Sequence, residues 1–207
     1  MSNSSLILDR YDAGRFQEFL EQVVFLDAKG RTRQSPPPVL IPGIPTLDAL
    51  AETVPAEVRA LVAAFWPGGL TVILPANPSL DWDLGETGGT VALRMPNNRI
   101  ALELLSETGP LAVSSANLTG ETAARTAQEA ERMLGASVEV YLDGGEVGLD
   151  YEATGLGSTI IDATGLLIEG GTLRIVRHGV ITEAQIDEVL ARLPSSPEPA
   201  APPEPAA

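Results

Sequence analysis

The chain has 207 residues, 44% of them hydrophobic, with no cysteine, one histidine (His178) and a formal net charge of −15. That is apolar content enough for one sizeable core, while the absent thiols exclude disulfides, thiolate catalysis and Cys-ligated metals, and a single histidine excludes a multi-His zinc site and leaves a Ser-His-Asp triad barely possible. Such acidity repels nucleic acid and anionic membranes over most of the surface, so an anionic ligand would need a local cluster of basic side chains. There is no apolar run of 18 residues, and no positively charged start leads into a long apolar stretch. The expectation is therefore a cytoplasmic protein with no membrane helix.

In chain order, "DAGRFQEFLEQVVFLDA" spaces Phe16, Phe19, Leu20, Val23 and Val24 as one helical face behind Asp12 as a possible cap. Next comes Lys29, the only lysine among thirteen basic residues, two before Arg31. It reads either as a surface lysine at a helix end or as one kept for its chemistry. "PPVLI" is a short strand. "PAEVRALVAAFW" is a helix with Pro55 in its first turn and Val58, Leu61, Val62 and Phe65 on one face. "LTVILP" and "TVALRM" are strands, "NRIALELLSET" a helix and "PLAVSS" a strand. Thr126 with Glu129 opens the helix "AQEAERML" as a capping box, and Thr182 with Gln185 does so for "EAQIDEVLARL". "VEVYLD", "STIID", "LLI" and "LRIVR" are further strands. The last 14 residues, "PSSPEPAAPPEPAA", cannot bury apolar surface, which predicts a domain over 1–193 and a disordered tail over 194–207. Strands interleaved with helices predict an α/β protein, and strands crowded late in the chain predict a mixed rather than strictly parallel sheet.

Polar residues recur at the ends of the apolar strands: Arg94 after "TVAL", Ser114, Ser115, Asn117 and Thr119 after "PLAV", Ser158 and Thr159 opening "STIID", and Arg177 closing "LRIVR". Ligands collect at strand ends in open α/β sheets. Arginine offers a planar fork of donors for phosphate or carboxylate, and serine and asparagine offer short-range hydrogen bonds. Each has a bland alternative, a turn former or a surface ion pair. Recurrence on four strands argues against it. Neither a GxxxxGK[ST] loop nor a strand-borne GxGxxG is present, so a bound nucleotide would occupy another type of pocket.

"KGR" before "PPPVLI", then "FWPGGLTVIL", "TVALRMP", "AVSSANLTGE", "STIID" and "RHGVIT" resemble, in this order, the threonylcarbamoyl-AMP synthase family, the YrdC-like proteins. The resemblance runs from about residue 27 to 192, and its most specific part is the pair Lys29-x-Arg31 and Ser115-x-Asn117. It implies a twisted open mixed sheet with flanking helices around a deep basic cavity. It also implies a cytoplasmic nucleotidyltransferase that makes threonylcarbamoyl-AMP and pyrophosphate from L-threonine, bicarbonate and ATP, for the t6A modification of tRNA. By motif, Lys29 and Arg31 face the ATP phosphates as the catalytic pair. Ser35, Thr90, Ser115, Asn117 and Arg177 join them in holding ATP, Arg94 pairs with the threonine carboxylate, and Ser158 helps hold the amino acid. Mg²⁺ would arrive with ATP, with no protein side chain identified as its ligand. Other proteins of t6A biosynthesis are implied partners, and broad RNA binding is not expected at this charge.

Members of that family carry, well before the Lys-x-Arg motif, a strand and loop reading roughly PTDTVYGL. Here 28 residues precede Lys29 and none reads like it, so an N-terminally shortened fold is expected. Leu40 stands where many members have a histidine near threonine, and Gly157 where a proline often precedes Ser-Thr. The alternative function is a catalytically impaired shortened paralogue that binds nucleotide or RNA. Carbamoyl transfer as one module of a much larger protein is disfavoured by the chain's size and its lack of zinc-finger cysteines.

Overall fold

A computed structural model describes residues 37–80, 87–118, 120–138, 140–146 and 157–194. Strand β1 (Pro38–Leu40) leads into helices α1 (Ile44–Leu50) and α2 (Ala56–Phe65). Strands β2 (Leu70–Pro75) and β3 (Thr90–Arg94) follow, then α3 (Arg99–Thr108), β4 (Leu111–Ala112) and α4 (Ala127–Leu134). Strands β5 (Thr159–Asp162) and β6 (Arg174–Arg177) and helix α5 (Glu183–Leu190) complete the described elements. The strands form one sheet in the order β4-β1-β3-β2-β5-β6. The pairs β1–β3 and β2–β5 are parallel and the other neighbours antiparallel, the mixed α/β sheet that the crowded late strands predict.

Helix starts follow local chemistry. The Asn98 side chain accepts from the Ala101 amide at 2.9 Å and opens α3. Thr182 and Gln185 close the full reciprocal box on α5. At α4 the Thr126 hydroxyl accepts from the Glu129 amide at 3.2 Å, but the Glu129 carboxylate reaches past the cap to the Arg125 amide at 2.9 Å, so the expected box is only half made. Pro55 stands at the N-cap of α2 rather than inside its first turn.

Three expected strands differ. "PLAVSS" is ladder-paired only over Leu111–Ala112. The described residues of "VEVYLD" form no strand and instead border a cavity beside α3 and α4. Leu166 and Leu167 of "LLI" end a 3-10 turn, Thr164–Leu167, with Ile168 as its C-cap, and the turn is opened by Asp162 accepting from the Thr164 amide at 3.0 Å. An Asp and a Thr two residues apart offer the backbone a turn, which wins over a short apolar run. Helix α1 was not legible as a helix, although Leu47 and Leu50 are its buried pair. The predicted N-terminal helix lies outside the described residues, as does the predicted tail apart from Pro194.

Strand alternation divides the sheet into two faces. Register sets Val39, Val72, Leu74, Val91, Leu93 and Ile161 on one face, and all are fully buried. Leu47 of α1, Val58, Leu61 and Val62 of α2 and Ile186 of α5 join them in one cluster. The same register sets Thr71, Thr90, Arg94 and Ile160 on the opposite face. We call this the polar face.

Candidate active site

Four of the residues singled out in the sequence, Thr90, Arg94, Ser158 and Arg177, share the polar face, and three of them, Arg94, Ser158 and Arg177, meet at one end of it. Thr90 and Arg94 are four apart on β3, so alternation points both the same way. Arg177 pairs with Ile160, which shares this face with Thr71. Ser158, two before Ile160, joins them, and its hydroxyl lies 3.0 Å from that of Thr71.

A β-bulge brings a further cation across. Ile160 pairs with Arg177 while Ile161 pairs with Ile175, so Val176 is the extra residue and is 49% exposed. In a regular strand, residues three apart face opposite sides. The bulge sets both Arg174 and Arg177 on the polar face. Arg174 binds the Asp162 carboxylate there at 3.0 Å. Burial is the largest influence on the Asp162 carboxyl and pushes it up. The Thr164 hydroxyl and amide, with Arg174, outweigh burial and hold it below the usual carboxylate range.

Arg177 lies over the start of β5. Its Nε and Nη2 donate to the Ser158 carbonyl at 2.9 and 2.7 Å, and Nη2 also donates to Ser158 Oγ at 2.7 Å. Arg94 leans the other way and donates from Nε to the Gly68 carbonyl at 2.9 Å, just before β2. The strands of these two arginines are separated by β2 and β5, yet their side chains converge. Partial burial, then the positive field of Arg94, pulls the Arg177 guanidinium below its ordinary value. Two guanidiniums held this close, with Arg177 anchored on the Ser158 carbonyl and hydroxyl, suit an anionic ligand group.

Glycine makes this approach possible. A Cβ on Gly179 would lie 2.4 Å from the Gly157 oxygen, the Ser158 carbon and the Thr159 nitrogen. The "RHG" turn therefore passes against the backbone that carries Ser158, and Val180 donates to the Gly157 carbonyl at 3.1 Å. The Thr159 hydroxyl ties the same turn down, donating to the Ile181 carbonyl at 2.6 Å.

The remaining residues fall elsewhere. Thr90 is at the other end of β3 from Arg94, about 13 Å away at strand rise, and its hydroxyl donates to the Thr87 carbonyl at 2.7 Å. Arg177 is thus grouped with Arg94 and Ser158, the pair expected to hold threonine, rather than with Thr90 and Ser115. Ser115 is exposed on the loop after β4, beside a cavity of about 520 Å³ walled by Ile100, Leu104, Leu134 and Tyr141. Asn117 donates from Nδ2 to the Leu118 and Glu121 carbonyls, both at 2.9 Å, which shapes its own loop. Its Oδ1 is buried without a partner and is the atom left for a ligand donor. Leu40 is half-buried on the polar face opposite Arg94. Lys29, Arg31 and Ser35 lie outside the described residues.

The sequence reading missed Thr71, although a lone polar residue in the apolar strand "LTVILP" was a visible signal. Among the described residues, no group of three or more His, Asp or Glu could hold a metal ion. Nor is any helix among them long and apolar enough to cross a membrane.

A family model named Sua5_yciO_yrdC, described as "Telomere recombination", matches residues 21–179. A Mycobacterium leprae (strain TN) protein named "Putative threonylcarbamoyl-AMP synthase" is 46% identical over 171 residues, covering 83% of this chain and 73% of the relative. The threonylcarbamoyl-AMP synthase of Bacillus subtilis (strain 168) is 36% identical over 167 residues, covering 80% of this chain and 48% of its own length. Among solved structures, P. abyssi Sua5 complexed with L-threonine superposes with a TM-score of 0.68 at 29% identity, over 89% of this chain and 49% of that one.

Proposed function

The chain belongs to the Sua5/YciO/YrdC family, and on that premise we propose that it is an L-threonylcarbamoyladenylate synthase, a transferase-type enzyme serving tRNA t6A formation. The observation that carries this reading is the convergence of Arg94, Ser158 and Arg177 on one sheet face, with Thr90 on the same face. The chain spans about half the length of the P. abyssi structure and about half that of the B. subtilis relative, so its substrates are part of the proposal.

In the proposed reaction the threonine amine takes up carbon dioxide from bicarbonate as a carbamate. A carbamate oxygen attacks the α-phosphorus of ATP, the bond to the bridging oxygen breaks, and pyrophosphate leaves. Two anions must approach, so fixed cations have to offset the developing charge. Arg94 would take the threonine carboxylate, with Ser158 beside it. Arg177, bonded to Ser158, would stand where amino acid and nucleotide meet. Thr90, Ser115 and Asn117 would hold the nucleotide, and Lys29, Arg31 and Ser35 would face its phosphates. Mg²⁺ would come bound to the phosphate oxygens and neutralise part of their charge.

Pyrophosphate release with L-threonine, bicarbonate, ATP and Mg²⁺ tests the reading, with threonine omitted as control. Threonine-dependent release is the expected result. ATP binding without such release would favour a nucleotide-binding paralogue, and no binding of either substrate would sink the proposal.

A further inference from the structure

We propose that Thr71 is a positioning residue of this site: its buried hydroxyl donates to Ser158 Oγ and so fixes Ser158 as a hydrogen-bond donor toward an anionic group of the amino-acid substrate. The inference rests on the functional reading above.

Thr71 is the one polar side chain of β2, and it is fully enclosed, with 0% of its surface exposed. Valine has nearly the same shape and no hydroxyl to satisfy, so the packing alone does not call for threonine. The partner of its hydroxyl is Ser158 Oγ, at 3.0 Å. The same Oγ receives Nη2 of Arg177 at 2.7 Å. A guanidinium can only donate, so one lone pair of Ser158 is taken by Arg177.

The two hydroxyls then have two possible arrangements. If Ser158 donated to Thr71, the Thr71 hydrogen would need another acceptor within a sealed environment, and an orphaned buried donor is costly. If Thr71 donates to Ser158, both hydrogen bonds are used and both lone pairs of Ser158 are filled. What remains is the Ser158 hydrogen, on a residue that keeps 6% of its surface exposed. Ser158 therefore cannot accept from a substrate ammonium group. It can donate to a carboxylate or carbamate oxygen, alongside Arg94 and Arg177. Thr71 touches no substrate in this scheme and acts through the serine.

The test compares Thr71→Val, Thr71→Ser, Ser158→Ala and the Thr71→Val/Ser158→Ala double variant of the 207-residue chain by calorimetry and steady-state kinetics. Thr71→Val is expected to raise the Kd and KM for L-threonine about tenfold, the scale of one hydrogen bond, with the Kd for ATP and the melting temperature nearly unchanged. Thr71→Ser keeps the donation and should bind threonine like the wild type. In the Ser158→Ala background Thr71→Val should add nothing. Thr71→Ala serves in its place where the valine variant fails to fold, with the same tenfold rise expected. Unchanged threonine affinity in a folded variant lacking the hydroxyl overturns the inference, and so does an undiminished effect in the Ser158→Ala background. A wild-type chain that binds ATP but no threonine overturns the functional reading and this inference with it.

Discussion

Arg94 and Arg177 come from strands that are not neighbours, and each is held by a backbone carbonyl at the start of a strand between them. This makes the fork of Arg177 more informative than its charge. Lysine at 177 would keep the cation but could not bridge the Ser158 carbonyl and hydroxyl in one plane. Arg177→Lys is expected to weaken ATP and threonine binding by about 1–3 kcal/mol, the range for charge-assisted hydrogen bonds. Calorimetry showing wild-type affinity for both would remove Arg177 from the site. Asp162 gives a pH signature. Its folded-state carboxyl titrates below the ordinary range, so its stabilising contribution is complete above about pH 4 and is lost as pH falls through the lower folded value. Asp162→Asn should narrow the gap to the wild type as denaturation is followed into acid. A gap that widens below pH 4 would contradict the assignment.

At the scale of elements, short strands are aimed by their irregularities. Inserting Val176 turns Arg174 and Arg177 onto the same face, which the plain alternation of "LRIVR" does not foretell. The "RHG" turn is held against Ser158 by a glycine that admits no Cβ and by the Thr159 hydroxyl. Helix α5, which follows that turn, begins on the full capping box of Thr182 and Gln185. Thr182→Ala removes the side chain that accepts from the Gln185 amide and is expected to cost about 1 kcal/mol of stability. Chemical denaturation measures it, and substrate affinities should hold, because Thr182 caps a helix and touches none of the polar network. A large loss of affinity at unchanged stability would mean that the helix start belongs to the site.

For the whole molecule, the division of labour between sheet faces is the organising feature. Leu93 and Arg94 are adjacent on β3, and Leu93 is fully buried against the helical layer while Arg94 lies on the polar face. Leu93→Ala should destabilise by about 2–5 kcal/mol, the cost of a large-to-small change in a packed core. Arg94→Ala should change stability by about 1 kcal/mol while strongly weakening threonine binding. Thermal denaturation and calorimetry on the two variants separate these effects. Equal destabilisation by both would deny the two-face arrangement. The exposed pairs Arg59–Asp48, Arg99–Glu103 and Arg192–Glu188 add little to either face, since solvent screens them.

Local chemistry written in the chain was enough for the α/β class, the mixed sheet, most strands and helices, and the strand-end positions of Arg94, Ser158 and Arg177, while Thr90 entered only through the family resemblance. Apolar periodicity, β-branched runs and caps act over a few residues and survive into the fold. Tertiary structure decided the rest. Whether "VEVYLD" pairs depends on a neighbouring strand, and whether "LLI" extends depends on the turn that Asp162 builds. Which serines and arginines act together depends on register between strands far apart in sequence. Arg177 thus joins Ser158 and Arg94 rather than Ser115. Thr71 is the sharpest case. In sequence it is a polar interruption of a strand, and only the fold that brings Ser158, 87 positions further along, against it gives its hydroxyl a partner.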